Sequence, residues 1–288
     1  MYSTTPPDNS TDGRLASSTS LAEVAARPNF AVEVAAQLPT SATAPSSVTV
    51  IIPAFNEANR LGQTLERVLV HPQLGDRAQI IVVDDGSKDS TARVARERLF
   101  AHPDAQVIVA AQNRGKGHAI KLGARSASGD KILFMDADLA TSLSAVRPVL
   151  DRLDEVDIVI GSRELVGATV TGQSTRRAVM HRAFSAQARQ LTGVTVSDAQ
   201  CGFKAFRRQA AETLFPRSLV NGYTFDIEIL LIARKLGMSV EEIPVQWHAV
   251  AGSKIRPLRD PLAMAADVAR VRYRHRRAAA EALKVVPT

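Results

Sequence analysis

Residues 132–141 read ILFMDADLAT. Four apolar residues lead straight to Asp136, Ala137 and Asp138, the pattern of a buried strand ending in two carboxylates one residue apart. Like charges so placed repel unless a cation or a hydrogen-bond network compensates them. In an extended segment side chains two positions apart point the same way, so Asp136 and Asp138 can serve one ligand together. Paired hard oxygens suit Mg2+ or Mn2+, which keeps positions open for water and phosphate. The bland alternative is a solvated loop in which Asp138 or Thr141 caps the helical pattern SLSAVRPVL. Its neighbours decide in favour of a metal.

Those neighbours are four more strand-length apolar runs, VTVII, QIIVV, QVIVA and DIVIG, which join KILFM. Between the runs lie ANRLGQTLERVLV, STARVARERL, GHAIKLGARSA and LSAVRPVLDRL, with apolar residues at helical spacing. Continuous apolar strands alternating with helices predict an α/β fold whose mostly parallel central sheet is flanked by helices. Ligands of such sheets bind beyond the carboxyl ends of the strands. Polar groups collect there: PAFNE (53–57) after the first run, DDGSKDST (84–91) after the second, DADLAT after KILFM and SRE after DIVIG. Each cluster alone is ordinary turn chemistry, and their convergence on one edge predicts a site.

Composition narrows the class. The chain has 288 residues, enough for one domain with appendages, and 45% are hydrophobic. Aromatics are 5%, which argues against a nucleic-acid binder that works by stacking. A single cysteine, Cys201, excludes an internal disulfide. No apolar run approaches the roughly 18 residues that span a bilayer. G-x-G-x-x-G and G-x-x-x-x-G-K-[ST] are both missing, which disfavours a dinucleotide dehydrogenase and a P-loop ATPase. Net charge is +7, and residues 254–288 hold nine Lys or Arg against three Asp or Glu. That tail suits an anionic membrane surface, nucleic acid or plain solvent. Residues 1–46 are rich in Ser, Thr, Pro and Ala, lack the layout of a secretory signal and read as a disordered or loosely attached extension. The expected organisation is that extension, a single catalytic domain at 47–257 and a basic C-terminal helix at 258–288.

Further candidates follow from position. A carboxylate at Asp84 or Asp85 can accept hydrogen bonds from a base or ribose. Gly115, Lys116 and Gly117 open a helical pattern, where backbone amides and a lysine can hold phosphate, or where the loop is merely glycine-rich. Arg163 follows DIVIG, and STRRAVMHR adds Arg176 and Arg177, basic groups suited to an anionic acceptor. Asp226 and Glu228 open another helical pattern, a place the helix dipole alone would give to acids. Ser253 and Lys254 stand in a loop after Gly252, as a phosphate clamp would.

Taken in order, VIIPAFNE, IIVVDDGSKDST, N-RGKG-A, MDADLAT, IGSR, D-QCGFKAF, FDIEIL and W----GSKI resemble glycosyltransferase family 2. Within it they are most similar to the dolichyl-phosphate β-glucosyltransferases and related polyprenyl-phosphate sugar synthases, over residues 48–273. The resemblance implies a GT-A type nucleotide-sugar-binding fold, a nucleotide-sugar donor, a divalent metal and an inverting transfer. By matched position, Pro53, Phe55 and Glu57 line the nucleotide pocket, with Asp84 on the base or ribose and Asp85 beside it. Asp136, Ala137 and Asp138 meet metal and donor phosphates. Arg163 with Arg176 or Arg177 grips the acceptor phosphate, Lys254 closes over the donor, and Lys116, Ser253, Asp226 and Glu228 complete the candidate set. Mannose-transferring relatives often carry Gln two residues after the second Asp; Ala140 stands there, which points to the glucosyl branch.

The expected reaction has chemical logic. Transfer to an alcohol needs a general base, whereas a phosphate monoester, with a second pKa of about 6, is already largely deprotonated at neutral pH. The expected enzyme is a metal-dependent hexosyltransferase that moves glucose from UDP-glucose to a polyprenyl or dolichyl phosphate. GDP-mannose, or a soluble acceptor, is the alternative. Its expected place is the cytoplasm, peripheral at the cytoplasmic face of a membrane, with Mg2+ or Mn2+ as cofactor and no nucleic-acid partner.

Overall fold

A computed structural model describes residues 32–36, 47–250, 266–273 and 275. In chain order the elements are β1 (Val32–Ala36), β2 (Val48–Ala54), α1 (Ala58–Leu69), β3 (Ala78–Asp84), α2 (Thr91–Leu99), β4 (Ala105–Ala110), α3 (Lys116–Ser126) and β5 (Lys131–Met135). There follow α4 (Val146–Arg152), β6 (Ile158–Ser162), β7 (Thr169–Thr171), α5 (Thr175–Thr192), β8 (Phe203–Arg207), α6 (Arg208–Leu214), α7 (Phe225–Lys235), β9 (Val240–Pro244) and β10 (Gln246–His248).

Each of the five apolar runs is a strand. β3 is buried at every position, as a strand covered on both faces must be. α1 buries Leu61, Thr64, Leu65 and Val68, an i, i+3, i+4, i+7 stripe that packs on the sheet while Arg67 faces away. α2 does the same with Thr91, Ala95 and Leu99.

The sheet has eight strands in the order β1-β4-β3-β2-β5-β8-β6-β9. β2 pairs in parallel with β3 and β5, β3 with β4, and β6 with β9. From β2 the chain steps outward through β3 to β4, then returns to lay β5 on the other side of β2. That reversal is a topological switch point, and it opens a crevice at the carboxyl ends of β2, β3 and β5. β8 is antiparallel between β5 and β6, with Phe203 opposite Met135. It therefore starts at the edge where β5 ends. A two-stranded sheet of β7 and β10 lies apart from the main one.

Of the five strands outside the apolar runs, β1 and β8 depart most from the sequence expectation. β1 falls inside the segment expected to be a loose extension; VEVAA, with alternating β-branched residues, pairs antiparallel with the free edge of β4. β8, FKAFR, is not among the five apolar runs, and Lys204 interrupts its apolar pattern. Lys204 is 1% exposed, and its Nζ lies 2.7 Å from Oδ1 of the equally buried Asp226 on α7. It also donates to the Cys201 carbonyl. Phe134 of β5 packs beside this pair, with Lys204 Nζ 5.4 Å from its ring centre and the Phe206 and Phe225 rings at 6.0 and 5.8 Å.

The described residues contain no helix long and apolar enough to cross a membrane. Residues 266–273 and 275 are helical. Val268 and Val271 of this C-terminal helix are buried, whereas Ala266, Ala269, Arg270 and Tyr273 are exposed. The helix at 266–275 thus packs on the fold through one face of its described residues and leaves another to solvent.

Removing one partner of the Lys204–Asp226 pair strands a buried charge. Lys204→Met is expected to cost about 3–5 kcal/mol in denaturant unfolding, against little for Lys204→Met with Asp226→Leu. Burial already raises the Asp226 pKa, against the opposing pull of Lys204. Without Lys204 only the Lys116 charge still opposes the rise, so the loss is present at neutral pH and shrinks as pH falls and Asp226 takes up a proton.

Candidate active site

The loops after β2 and β3 are hydrogen-bonded into one wall. The Asn56 amide donates to Ser87 Oγ and the Lys88 amide to Asn56 Oδ1, both at 2.8 Å; the Glu57 amide donates to Thr91 Oγ1 at 2.8 Å. Pro53, Phe55 and Glu57 are half-buried along this wall. Asp84 is buried and accepts the Ser87 amide at 2.8 Å, closing the DDGS turn.

Asp85 points the other way. Its Oδ2 accepts the amides of Arg114 at 3.0 Å and Gly115 at 2.6 Å, and its Oδ1 lies 3.3 Å from His118 Nδ1. Burial raises its pKa against those bonds, and burial lowers that of His118. Asp85 is thus the brace of the glycine-rich loop, and its side chain is spent on protein groups. Gly115 itself sits at φ 107°, and a Cβ there would meet the Asn221 carbonyl oxygen at 2.5 Å.

The braced loop delivers Lys116 to the acids. Lys116 Nζ lies 2.6 Å from Asp136 Oδ1 and 5.8 Å from the Phe134 ring centre. Burial works against its charge, but Asp136 and Asp226 outweigh that and raise its pKa, so the ammonium persists across physiological pH. Asp138 has poorer compensation. Burial comes first and the Asp136 charge second in raising its pKa; the Ala140 amide, 3.0 Å from Oδ1, and Arg60 pull the other way. Leu139, at φ 48°, turns the chain sharply after the acids. Ala137 is 5% exposed and packs in the core, and its carbonyl accepts Thr64 Oγ1 at 2.6 Å. Its contribution is to tie the turn to α1, since the small side chain faces inward.

Gly202 makes room for Asp136. Its carbonyl accepts the Asp136 amide at 3.1 Å, and a Cβ there would stand 1.8 Å from Asp136 Oδ2. No single-sequence signal marked Gly202 as a site residue; only its place inside QCGFK hinted at it.

In the second half, Arg163 grips Asp198. Its Nε donates to Oδ2 at 2.7 Å, a second guanidinium nitrogen to Oδ1 at 2.8 Å, and its amide to Oδ2 at 3.0 Å. The guanidinium carbon lies 5.4 Å from the Trp247 ring centre. Burial disfavours its charge, and the hydrogen bonds and charge of Asp198 more than restore it. Glu242 in turn accepts the amides of Ser197 at 2.7 Å and Asp198 at 2.9 Å. Asp198 and Glu242 were not among the expected residues. Arg176 and Arg177 lie in the first turn of α5; Ser253 and Lys254 lie outside the described residues.

Asp226 and Glu228 were expected to meet substrate. Both are buried, because residues 225–233 of α7 are enclosed on every side. Asp226 pairs with Lys204, and Glu228 binds the loop at 218–220.

A divalent cation suits this arrangement. Asp136 and Asp138 offer hard oxygens, and the raised Asp138 pKa marks a carboxylate short of positive charge. No group of three or more His, Cys, Asp or Glu is set to hold a metal among the described residues. Two protein carboxylates completed by waters and phosphate oxygens is a usual set for Mg2+.

The sequence model of Glycosyl transferase family 2 matches residues 49–215. A dolichyl-phosphate beta-glucosyltransferase of Dictyostelium discoideum is 35% identical over 243 residues, 79% of this chain and 74% of its own. The enzyme of that name from Homo sapiens is 34% identical over 244 residues, 79% and 75% of the two chains. Among solved structures, glucosyl-3-phosphoglycerate synthase from Mycobacterium tuberculosis with Mn2+, UDP and glucosyl-3-phosphoglycerate has TM-score 0.55 at 22% identity, covering 78% of each chain. That likeness bears out the expected fold.

Two expected outcomes follow from the geometry. Gly202→Ala should displace Asp136 and weaken Mn2+ binding about 10–100-fold by titration calorimetry, the size of effect seen when groups orienting a ligand are lost. Asp138→Asn should raise the thermal midpoint of the metal-free protein at pH 7. A folded pKa above the unfolded one makes ionised Asp138 destabilising, so this gain should fade as pH falls through the raised pKa.

Proposed function

The chain belongs to glycosyl transferase family 2, and from that membership we propose that it moves glucose from UDP-glucose to the phosphate of a dolichyl- or other polyprenyl-type lipid, with inversion. The observation that carries the reading is the convergence of Asp136, Asp138 and Lys116 at the switch point of the sheet. The names of the curated relatives, dolichyl-phosphate beta-glucosyltransferases at 30–35% identity, support the sugar and the acceptor.

In this reading the wall of Pro53, Phe55 and Glu57, with Asp84 behind it, receives the nucleoside. Asp136 and Asp138 hold Mg2+ or Mn2+, which when bound supplies positive charge to the leaving diphosphate. Lys116, fixed by Asp85 through the Gly115 amide, sets an ammonium beside the same oxygens. Arg163 is held by Asp198 and Trp247 as a fixed, already paired guanidinium at the wall where the acceptor anion arrives. Arg176 and Arg177, in the first turn of α5, are the residues the family resemblance assigns to the acceptor phosphate. The family resemblance assigns Ser253 and Lys254, which lie outside the described residues, to the donor.

A lipid phosphate needs positioning rather than deprotonation. His118, the histidine beside Lys116, is engaged by Asp85 and made less basic by burial. The acceptor's own phosphate oxygen therefore serves as the nucleophile at C1, and UDP departs with the electron pair of the broken bond. The acceptor resides in a bilayer, so the enzyme works as a peripheral protein at the cytoplasmic membrane face. The exposed side of the C-terminal helix, with Arg270 and Tyr273, supplies a contact suited to anionic headgroups.

The test incubates the protein with Mn2+, labelled UDP-glucose or GDP-mannose, and either polyprenyl phosphate or water-soluble 3-phosphoglycerate. Label from UDP-glucose should enter the organic phase, and Asp138→Asn should slow it by about 10²–10³-fold. Label that reaches only the soluble acceptor, or only from GDP-mannose, would overturn the proposed substrate pair.

A further inference from the structure

Glu228 is 1% exposed, yet none of its bonds reaches the acid pair. Its Oε2 accepts Ser218 Oγ at 2.7 Å and the amides of Leu219 and Val220 at 2.9 and 2.8 Å. Its Oε1 lies 2.9 Å from Nε2 of His275 on the C-terminal helix. One carboxylate thereby fixes the loop at 218–222 from within and ties it to a helix from the far end of the chain. The helix is itself anchored: Val268 and Val271 are buried, Lys235 Nζ donates to the His275 carbonyl at 2.8 Å, and Thr224 Oγ1 donates to Asp267 Oδ2 at 3.4 Å.

The same loop holds the start of α3. Lys121 Nζ donates to the carbonyls of Ser218 and Val220 at 3.2 and 3.0 Å and to Asn221 Oδ1 at 2.8 Å. The His118 amide donates to the Asn221 carbonyl at 3.2 Å. Gly115 and Gly117 are packed so tightly on the loop that a Cβ on either would lie within 3 Å of the Asn221 or Val220 carbonyl oxygen. A cavity of about 170 Å³, lined by Val220, Asn221, Gly222 and Val271 among others, adjoins the loop on the helix side. Space into which the loop can relax makes the clamp matter.

We propose that Glu228 and His275 are positioning residues for the donor diphosphate, acting through the loop at 218–222 on the Gly115–Lys116 cradle, so that the C-terminal helix is a working part of the donor site. This rests on the reading of Lys116 as a donor-phosphate group. Binding lost equally from the ground state and the transition state raises KM and leaves kcat, so a relaxed loop beside the diphosphate is expected to show chiefly in donor affinity.

The experiment titrates UDP with Mn2+ into the full chain and measures donor KM and kcat separately. His275→Ala should raise the UDP Kd and the donor KM about 10-fold, with kcat within about 3-fold, as loss of uniform binding does. His275→Gln, whose amide can donate to the same oxygen, should recover most of the affinity. Glu228→Gln should resemble His275→Ala. If His275→Ala and Glu228→Gln lower the melting temperature but leave Kd and KM unchanged, the clamp is only structural and the inference fails. Lys116→Ala separates the two levels: weakened UDP binding there with none in His275→Ala sinks this inference alone. A wild-type protein that binds no UDP sinks the proposed function and this inference with it.

Discussion

Two carboxylates share the end of a strand that is buried along its length, and their repulsion is the constraint the rest of the structure answers. Asp136 has Lys116 at 2.6 Å, and Asp226 behind it has Lys204 at 2.7 Å. The Phe134 ring is close to both ammonium groups, which lie 5.8 and 5.4 Å from its centre. Each of these acids thus has an ammonium beside it, and Lys116 feels the charge of both, an arrangement that lets a low-dielectric interior tolerate them. Asp138 stands outside this set, and burial with like charges raises its pKa. The fold leaves one acid short of positive charge at the place where a ligand enters.

Much of this was legible in the sequence because it follows from periodicity. Continuous apolar runs such as QIIVV can be buried on both faces only in a helix-covered sheet, and the polar clusters after them could only fall on one edge. The acid pair was legible for the same reason, since an extended DAD segment aims both side chains alike. The family resemblance, carried by ordered motifs, pointed to glycosyltransferase family 2, and the family match agrees with it.

What escaped depends on partners distant in sequence. Asp85 looked like a nucleotide ligand beside Asp84, but its bonds run 29 and 30 residues ahead to Arg114 and Gly115. Lys204 disguised β8, because a lysine in a strand reads as exposed until Asp226 is seen beside it. Gly202 carries no side chain to notice, and its meaning lies in the space Asp136 fills. Asp226 and Glu228 sat where helix dipoles favour acids, so their position said nothing of their burial on an enclosed helix. Asp198 became visible only as the partner that spends the Arg163 fork.

On the proposed reading these charges also imply that metal and donor bind as a unit. The Asp138 carboxylate bears a desolvation cost that positive charge would relieve, and a diphosphate brings negative charge that the acids alone would repel. Each ligand therefore lowers the cost of admitting the other, and by linkage the coupling is the same in both directions. Lys116 sits between the two: its present partner is Asp136, and a diphosphate oxygen is a partner of equal sign. Its ammonium can turn from one to the other without leaving a buried charge unpaired, provided Asp136 gains the cation as it loses the lysine. A residue with that task must be held by its backbone and not by its side chain, and the Asp85 brace at Gly115 supplies that restraint.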